Sequence, residues 1–192
     1  MSETPSPESA RTFQPVDETA LALAARLLRS SRHGTLAVIE PGTGHPLASR
    51  TTFACDDRGA PIILISGLAA HTPALRADPR CSLLAGEPGA GDPLAHPRIT
   101  LIGQARRLER GSVEGTQARA CFLAARPKAA LYADFAFWRI ESQRASLNGG
   151  FGRAWQLEAS DLARAFAAGP SAPSVSSAPS APSAPSGISD SR

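Results

Sequence analysis

Several features that define whole classes of protein are missing from this 192-residue chain. Its three cysteines, Cys55, Cys81 and Cys121, are not an even set and are not spaced as metal ligands, so we expect reduced thiols in a cytoplasmic protein. No apolar run is long enough to cross a membrane, and the polar N-terminus lacks a signal-peptide core. The net charge of +3 comes without a basic run, which argues against a nucleic-acid partner.

The local motifs of several enzyme classes are also missing. No G-x-G-x-x-G follows a predicted strand and no P-loop occurs, so nucleotide binding of the usual α/β kind has no support. No G-x-S-x-G is present, which leaves a serine hydrolase unsupported. None of the four histidines lies three or four residues from another, so we expect no metal-ion site on a helix. No acid or base suited to act on a substrate stands out, and the catalytic residues stay unassigned.

The composition divides the chain into three parts. Residues 1–16 are polar and rich in proline, which predicts a disordered lead. Residues 17–166 have the apolar patterning of one domain of ordinary size. Residues 167–192 repeat Ala-Pro-Ser, a composition that cannot bury apolar surface and predicts a disordered tail.

Short strands joined by turn clusters dominate the predicted domain. Strands are predicted at 34–40, 47–55, 61–65, 80–85, 99–108, 135–140 and 154–157, and helices at 17–29, 73–78, 112–125, 127–132 and 161–166. We also expect a bend or bulge at Gly103 and a turn at 142–144. Because hairpins rather than long helical crossovers join the strands, the pattern favours a small, mainly β, antiparallel barrel with flanking helices.

A candidate anion site follows the third strand. Pro73 suits the first position of a short helix with Thr72 as its N-cap, and the free amides of such an end attract anions. Ser66 and His71 add side-chain donors, and Arg50 on the neighbouring strand adds a permanent charge. This set fits a phosphate monoester. An ordinary capped helix after a buried strand fits the same residues equally well.

A glycine-rich junction precedes the last strand, in the sequence Gly-Gly-Phe-Gly at 149–152 followed by Arg153. Such a junction allows the backbone to approach a flat ligand closely. A β-bulge explains it equally well. Trp138 and Trp155 lie in predicted strands, where core packing is the expected role.

Five segments, taken together, resemble a known family. They read RHGTLAV at 32–38, PLASR at 46–50, LAAHTPALRADPR through TLIGQA at 68–105, RPKAALYADF at 126–135 and LNGGFGRAW at 147–155. In this order and spacing they resemble the HugZ-like branch of the pyridoxamine 5′-phosphate oxidase-like proteins. The resemblance covers residues 21–157, most of the predicted domain.

The resemblance implies a split β-barrel and a homodimer with a flavin mononucleotide (FMN) site between the subunits. The cofactor-binding residues that it implies are Arg50, Thr51, Thr52, Ser66, His71, Thr72, Asn148 and Arg153. In this arrangement Arg50, Ser66, His71 and Thr72 hold the phosphate, and the two threonines that follow Arg50 lie beside the ring. The last two residues reach the ring or the substrate from the second subunit.

The function that follows is an FMN-binding flavoprotein, an oxidoreductase acting on a small molecule, with no nucleic-acid or membrane partner. A haem-binding or haem-degrading protein on the same barrel is the first alternative. It needs a nitrogen donor for iron, and His71, His96 and His33 are the candidates. The second alternative is a non-catalytic flavin-binding module, which would bind flavin without turnover.

Overall fold

A computed structural model describes residues 13–129 and 134–167. The strands are β1 His33–Ile39, β2 Pro46–Cys55, β3 Pro61–Ser66, β4 Arg80–Ala85, β5 Arg98–Arg107, β6 Phe135–Asn148 and β7 Ala154–Glu158. The helices are α1 Glu18–Ser30, α2 His71–Ala77, α3 Val113–Ala125 and α4 Ala159–Ala167, with a 3₁₀ turn at Pro93–Ala95. The lead at 1–12 and the tail at 168–192 lie outside the described residues.

Six strands close into an antiparallel barrel, which confirms the predicted mainly β class. The strand order is β3-β2-β1-β4-β5-β6-β7, and β3 also pairs with β6 to close the ring. The long strand β6 makes this closure possible, because its first half pairs with β3 and its last residues pair with β7. The strand β7 therefore extends the sheet outside the barrel.

The core fills the barrel and continues into two helices. Leu36 and Val38 of β1 point inward and are almost completely buried, as the alternation of side chains along a strand requires. The helix α1 begins after Asp17, whose carboxylate accepts a hydrogen bond from the Ala20 amide at 2.8 Å. Its apolar face and that of α4 join the same core, so these helices are anchored by burial rather than by helix propensity alone.

A second, smaller core lies on the outside of β2 and β3. There α3 contributes Ala118 and Phe122, which pack with Ala54, Ile62 and Leu64. The strand β3 is consequently buried on both faces, as its uninterrupted apolar run predicted. The outer face of β2 is covered around Ala54 but becomes exposed at Thr52 and Arg50.

Of three sequence-based expectations for the second half of the domain, one is wrong, one is confirmed and one lies partly outside the described residues. The turn predicted at 142–144 is wrong, because β6 runs through it. The predicted irregularity at Gly103 is confirmed as a register shift: Gly103 pairs with Ser142 and Ile102 with Arg144, so Gln143 is the extra residue. Residues 127–129 are not helical, and the rest of the helix predicted at 127–132 lies outside the described residues.

The structure also describes the two features, cysteines and helices, from which the sequence argued against a disulfide-bonded or membrane-spanning protein. All three cysteines are free, and burial raises the pKa of the Cys81 thiol to about 12, which leaves it protonated and unreactive at neutral pH. Among the helices of the described residues, none has both the length and the apolarity needed to span a bilayer.

Candidate functional site

The helix α2 begins two residues earlier than predicted. Its first residue is His71, and the N-cap position is Ala70, which makes no side-chain cap. The prediction that Thr72 caps the helix and that Pro73 opens it is therefore wrong. Instead, the buried Thr72 hydroxyl donates a hydrogen bond to the Ser66 carbonyl at 2.6 Å. This bond ties the first turn of α2 to the end of β3 and engages the only donor that the hydroxyl has.

His71 lies against β2 and is held there as a neutral group. Its Nδ1 is 3.0 Å from the Ser49 hydroxyl. Its Nε2 is buried and has no hydrogen-bond partner within the described residues. Burial lowers the pKa of the imidazole, because desolvation disfavours the charged form. His71 thus lies against the strand that carries Arg50, but without the positive charge that would favour an anion.

Ser66 also has a partner of its own. Its hydroxyl donates to a carboxylate oxygen of Asp134 at 2.5 Å and accepts the Leu68 amide at 3.1 Å. The Asp134 carboxylate therefore lies beside the hydroxyl that was predicted to bind the phosphate. That hydroxyl already donates its hydrogen to the carboxylate.

Alternation along β2 sends its three predicted ligands to different faces. Thr51 points inward and is 6% exposed, and its hydroxyl donates to the Thr52 carbonyl at 3.3 Å. Arg50 and Thr52 point outward and are exposed. Within residues 13–129 and 134–167, Arg50 has no hydrogen-bond or ion-pair partner. It is therefore available to an external anion.

Asn148 and Arg153 shape the turn between β6 and β7. The Asn148 side-chain oxygen accepts the Gly150 amide at 3.0 Å, and the Arg153 guanidinium donates to the Gly149 carbonyl at 2.7 Å. The last residues of β6 pair with β5 and β7, whereas β3, the strand between β2 and β6, pairs only with the first residues of β6. Their predicted place in a site shared between two subunits stays a prediction.

A cavity of about 840 Å³ opens beside Thr52 on the outside of the barrel, and we call it the cationic cavity. Its polar lining consists of Arg29, Ser30, Arg32, Thr52, Arg126 and Lys128, and no carboxylate lines it within the described residues. Leu64, Ala129 and Phe135 supply apolar surface. Cations surrounding an apolar floor form a site suited to a flat anionic ligand.

Arg126 shows how strongly positive this cavity is. Its guanidinium is half-buried and donates to the carbonyls of Ser31 and Phe53, both at 2.8 Å. Burial and the neighbouring Arg32 lower its pKa, although an arginine remains charged at physiological pH. Arg32 and Lys128 make no hydrogen bond or ion pair with any described residue. Their charges are unneutralised.

A larger cavity, of about 1020 Å³, lies on the other side of Leu64 and Phe135. It is lined by arginines but also by Glu109 and Asp134. Because these carboxylates partly cancel the positive charge, we regard it as less suited to a multiply charged anion than the cationic cavity.

One side-chain contact at the start of β1 was not predicted from the sequence. His33 Nδ1 lies 2.6 Å from a carboxylate oxygen of Glu87, in the loop after β4. His33 does not itself line the cationic cavity, but its cross-strand partner Thr52 and its chain neighbour Arg32 do. The sequence offered no signal for this contact, since β1 and β4 become neighbours only in the folded sheet.

The described residues contain no group of three or more histidine, cysteine, aspartate or glutamate side chains that could hold a metal ion. A metal site built from such side chains therefore has no support among these residues. A metal carried inside an organic macrocycle needs only one or two protein ligands, and this finding does not bear on it.

The comparisons with known proteins agree with this fold. The family model described as pyridoxamine 5′-phosphate oxidase matches residues 22–149. The chloroplastic non-canonical heme oxygenase HOZ of Arabidopsis thaliana is 37% identical over 139 residues, which are 70% of this chain and 40% of that protein.

Two solved structures extend the comparison. A heme binding protein from Mycobacterium smegmatis is 35% identical, with a TM-score of 0.68 over 80% of this chain and 62% of that one. Protein Atu2129 of Agrobacterium tumefaciens, of unknown function, is 30% identical, with a TM-score of 0.66 over 78% of this chain and 63% of that one.

This chain thus spans about 40% of the length of its curated relative and just under two thirds of these two structures. The matched region contains the six strands that close the barrel, up to the end of β6. The chain therefore belongs to the pyridoxamine 5′-phosphate oxidase family, with the split β-barrel and the HugZ-like relationship that its five motifs indicated.

Proposed function

We propose that this protein binds haem at the cationic cavity on the outside of its barrel. The observation that supports this most directly is the charge of the lining: Arg29, Arg32, Arg126 and Lys128 with no carboxylate among the described residues. Haem is a flat apolar ring with two carboxylate side chains, so it needs both the cations and the apolar surface.

The residues present fit this group. The cavity volume of about 840 Å³ lies within the roughly 300–1,000 Å³ of small-molecule sites. Arg32 and Lys128, which have no ion-pair partner within residues 13–129 and 134–167, can pair with carboxylates, while Leu64 and Phe135 can contact the ring. Bound haem would supply iron that takes up and delivers electrons. Two relatives above 30% identity, described as a heme oxygenase and a heme binding protein, support the same ligand.

FMN is the second candidate, with an oxidoreductase acting on a small molecule as the function. Arg50 favours it, because this cation on the exposed face of β2, two residues from Thr52, has no partner among the described residues. We place haem first because the other predicted phosphate ligands, Ser66, His71 and Thr72, already make contacts within the protein. A flavin module without catalytic activity would share the FMN site but show no turnover.

A titration with both cofactors tests this proposal. The full chain is mixed separately with hemin and with FMN, passed through gel filtration, and its visible spectrum is recorded. We expect a sharp Soret band retained at one haem per chain and no retained flavin. Replacing Arg32 and Lys128 together by Gln should weaken haem binding at least about tenfold, since each charged hydrogen bond contributes about 1.5–3 kcal/mol.

Arg58→Gln is the matched control for charge, because Arg58 is exposed in the turn between β2 and β3 and does not line the cavity. It should leave haem affinity unchanged. A yellow protein that retains FMN and develops no Soret band would contradict the haem proposal and leave FMN as the ligand.

A cytoplasmic location completes the proposal. Cys55 and Cys81 are unpaired, and burial raises the pKa of both thiols. Free thiols inside a fold are typical of proteins that work in a reducing compartment.

A further inference from the structure

We propose that His33 would hold the iron of a bound haem and that Glu87 positions its imidazole. This inference rests on the proposed function above, and it adds the residue that holds the metal. The starting observation is the 2.6 Å contact between His33 Nδ1 and the Glu87 carboxylate, with side-chain exposures of 36% and 56%.

The contact fixes which ring nitrogen is available. In the neutral imidazole, Nδ1 carries the hydrogen and donates it to Glu87, so Nε2 carries the lone pair. Nε2 is not among the buried unpartnered atoms and has no hydrogen-bond partner within the described residues. It is therefore open to an external ligand. A carboxylate on the other ring nitrogen is the usual partner of a metal-bound histidine, since it fixes the ring and strengthens the donor.

The position of His33 is the second argument. Along β1, Leu36 and Val38 are buried inside the barrel while Thr35 is exposed, so His33 lies on the outer face with Thr35. Its cross-strand partner is Thr52, which places the two Cβ atoms about 5 Å apart. Thr52 and Arg32 both line the cationic cavity. His33 therefore shares the outer face of the barrel with a residue that lines the cavity, and its imidazole would hold the iron of a haem bound there.

The other three histidines are less suited to this role. His71 Nε2 is buried and its Nδ1 contacts Ser49. His96 Nε2 lies 2.9 Å from the Ala90 carbonyl. His45 lies just before β2, in the hairpin turn at the far end of β1 from His33. Among the histidines, His33 alone combines a carboxylate on one nitrogen, an open second nitrogen and a cross-strand partner that lines the cavity.

Coordination involves no redox step or bond cleavage in the protein. Nε2 donates its lone pair to iron, and the Nδ1 hydrogen remains shared with Glu87. If the imidazole is protonated beforehand, its Nε2 proton passes to water when the metal binds.

The test compares haem binding and spectra of the full-length variants His33→Ala and Glu87→Gln, with His96→Ala as the matched histidine control. We expect His33→Ala to weaken haem binding at least about tenfold and to remove the iron–imidazole vibration from the resonance Raman spectrum of the ferrous protein. Added imidazole should restore that vibration. Glu87→Gln should keep the haem but lower the vibration frequency and raise the midpoint potential, because the imidazole becomes a weaker donor.

Two outcomes would overturn the inference, and they are distinguishable. If the wild type binds haem and His33→Ala leaves its affinity and spectrum unchanged, His33 is not the ligand, and the proposed function survives. If the wild type binds no haem, the proposed function fails and the ligand assignment fails with it. Urea unfolding of each apo variant, together with a second variant His33→Gln of similar size, separates loss of the ligand from loss of the fold.

Discussion

At the scale of single residues, the side chains predicted to hold a phosphate differ in whether they are free to do so. Thr72 and Ser66 donate their hydroxyl hydrogens to a carbonyl and a carboxylate of the protein itself. A donor with a good internal partner gains little from an external one. Arg50 remains on the exposed face of β2 without such a partner among the described residues.

Arg50 therefore separates the two cofactor proposals. We expect Arg50→Ala to weaken FMN binding by about 1.5–3 kcal/mol, the contribution of a hydrogen bond to a charged group, and to leave haem affinity nearly unchanged, because Arg50 does not line the cationic cavity. Calorimetric titration with each cofactor measures both effects. Arg58→Ala is the control, and unchanged FMN affinity in Arg50→Ala would remove this residue from any flavin site.

At the scale of elements, the long strand β6 decides the architecture. It pairs with β3, β5 and β7 in turn, and the bulge at Gln143 opposite the Ile102–Gly103 step adds the local twist that a closing strand needs. A Cβ atom added at Gly103 would collide with the Glu141 carbonyl oxygen. Glycine is required there for close backbone approach, and the backbone of β6 cannot easily move away.

Gly103→Ala should destabilise the fold by about 1–3 kcal/mol, the usual cost of overpacking a tight site. Gly42→Ala is the control, because Gly42 has a φ of 85° but a Cβ atom added there would meet nothing within 4 Å. It should cost only the roughly 1–2 kcal/mol of a left-handed backbone. Urea unfolding followed by tryptophan fluorescence measures both, and the prediction fails if Gly103→Ala is as stable as the wild type.

At the scale of the whole molecule, the outer face of the barrel carries a row of residues in register. Arg50, Thr35, Leu84, Thr100 and Ser146 follow one another across β2, β1, β4, β5 and β6. Leu84, at the centre of the row, is 39% exposed. We propose that this face joins two copies of the chain into a homodimer, which would bring Asn148 and Arg153 of one subunit towards the site of the other.

Leu84→Arg should convert that dimer to a monomer, because the two-fold axis would bring two like charges together where apolar surface had been buried. Sedimentation velocity of the wild type and the variant measures this directly. Leu68→Arg is the control, since Leu68 is 91% exposed in the segment after β3 and is not part of the row. A wild type that sediments as a monomer would contradict the proposal.

Much of the architecture could be predicted from local sequence. The helix α1 follows from its apolar spacing and the Asp17 cap, and the burial of β3 on both faces follows from its continuous apolar run. The turn predicted at 142–144 failed for a physical reason. Ser142, Gln143 and Arg144 are polar because one face of β6 is open to solvent, and polarity alone does not distinguish such a strand from a turn.

Most of the strands, the hairpins and the family could be predicted from the amino-acid sequence, because these depend on neighbours in the chain and on short motifs. Which hydrogen-bond donors have a partner within the protein became visible only in the folded chain. Asp134 reaches Ser66 and Glu87 reaches His33 through contacts between distant segments. The cationic cavity likewise gathers Arg29, Arg126 and Thr52 from separate parts of the chain. Such contacts depend on how the barrel closes, and closure is set by the packing of the whole core rather than by any local pattern.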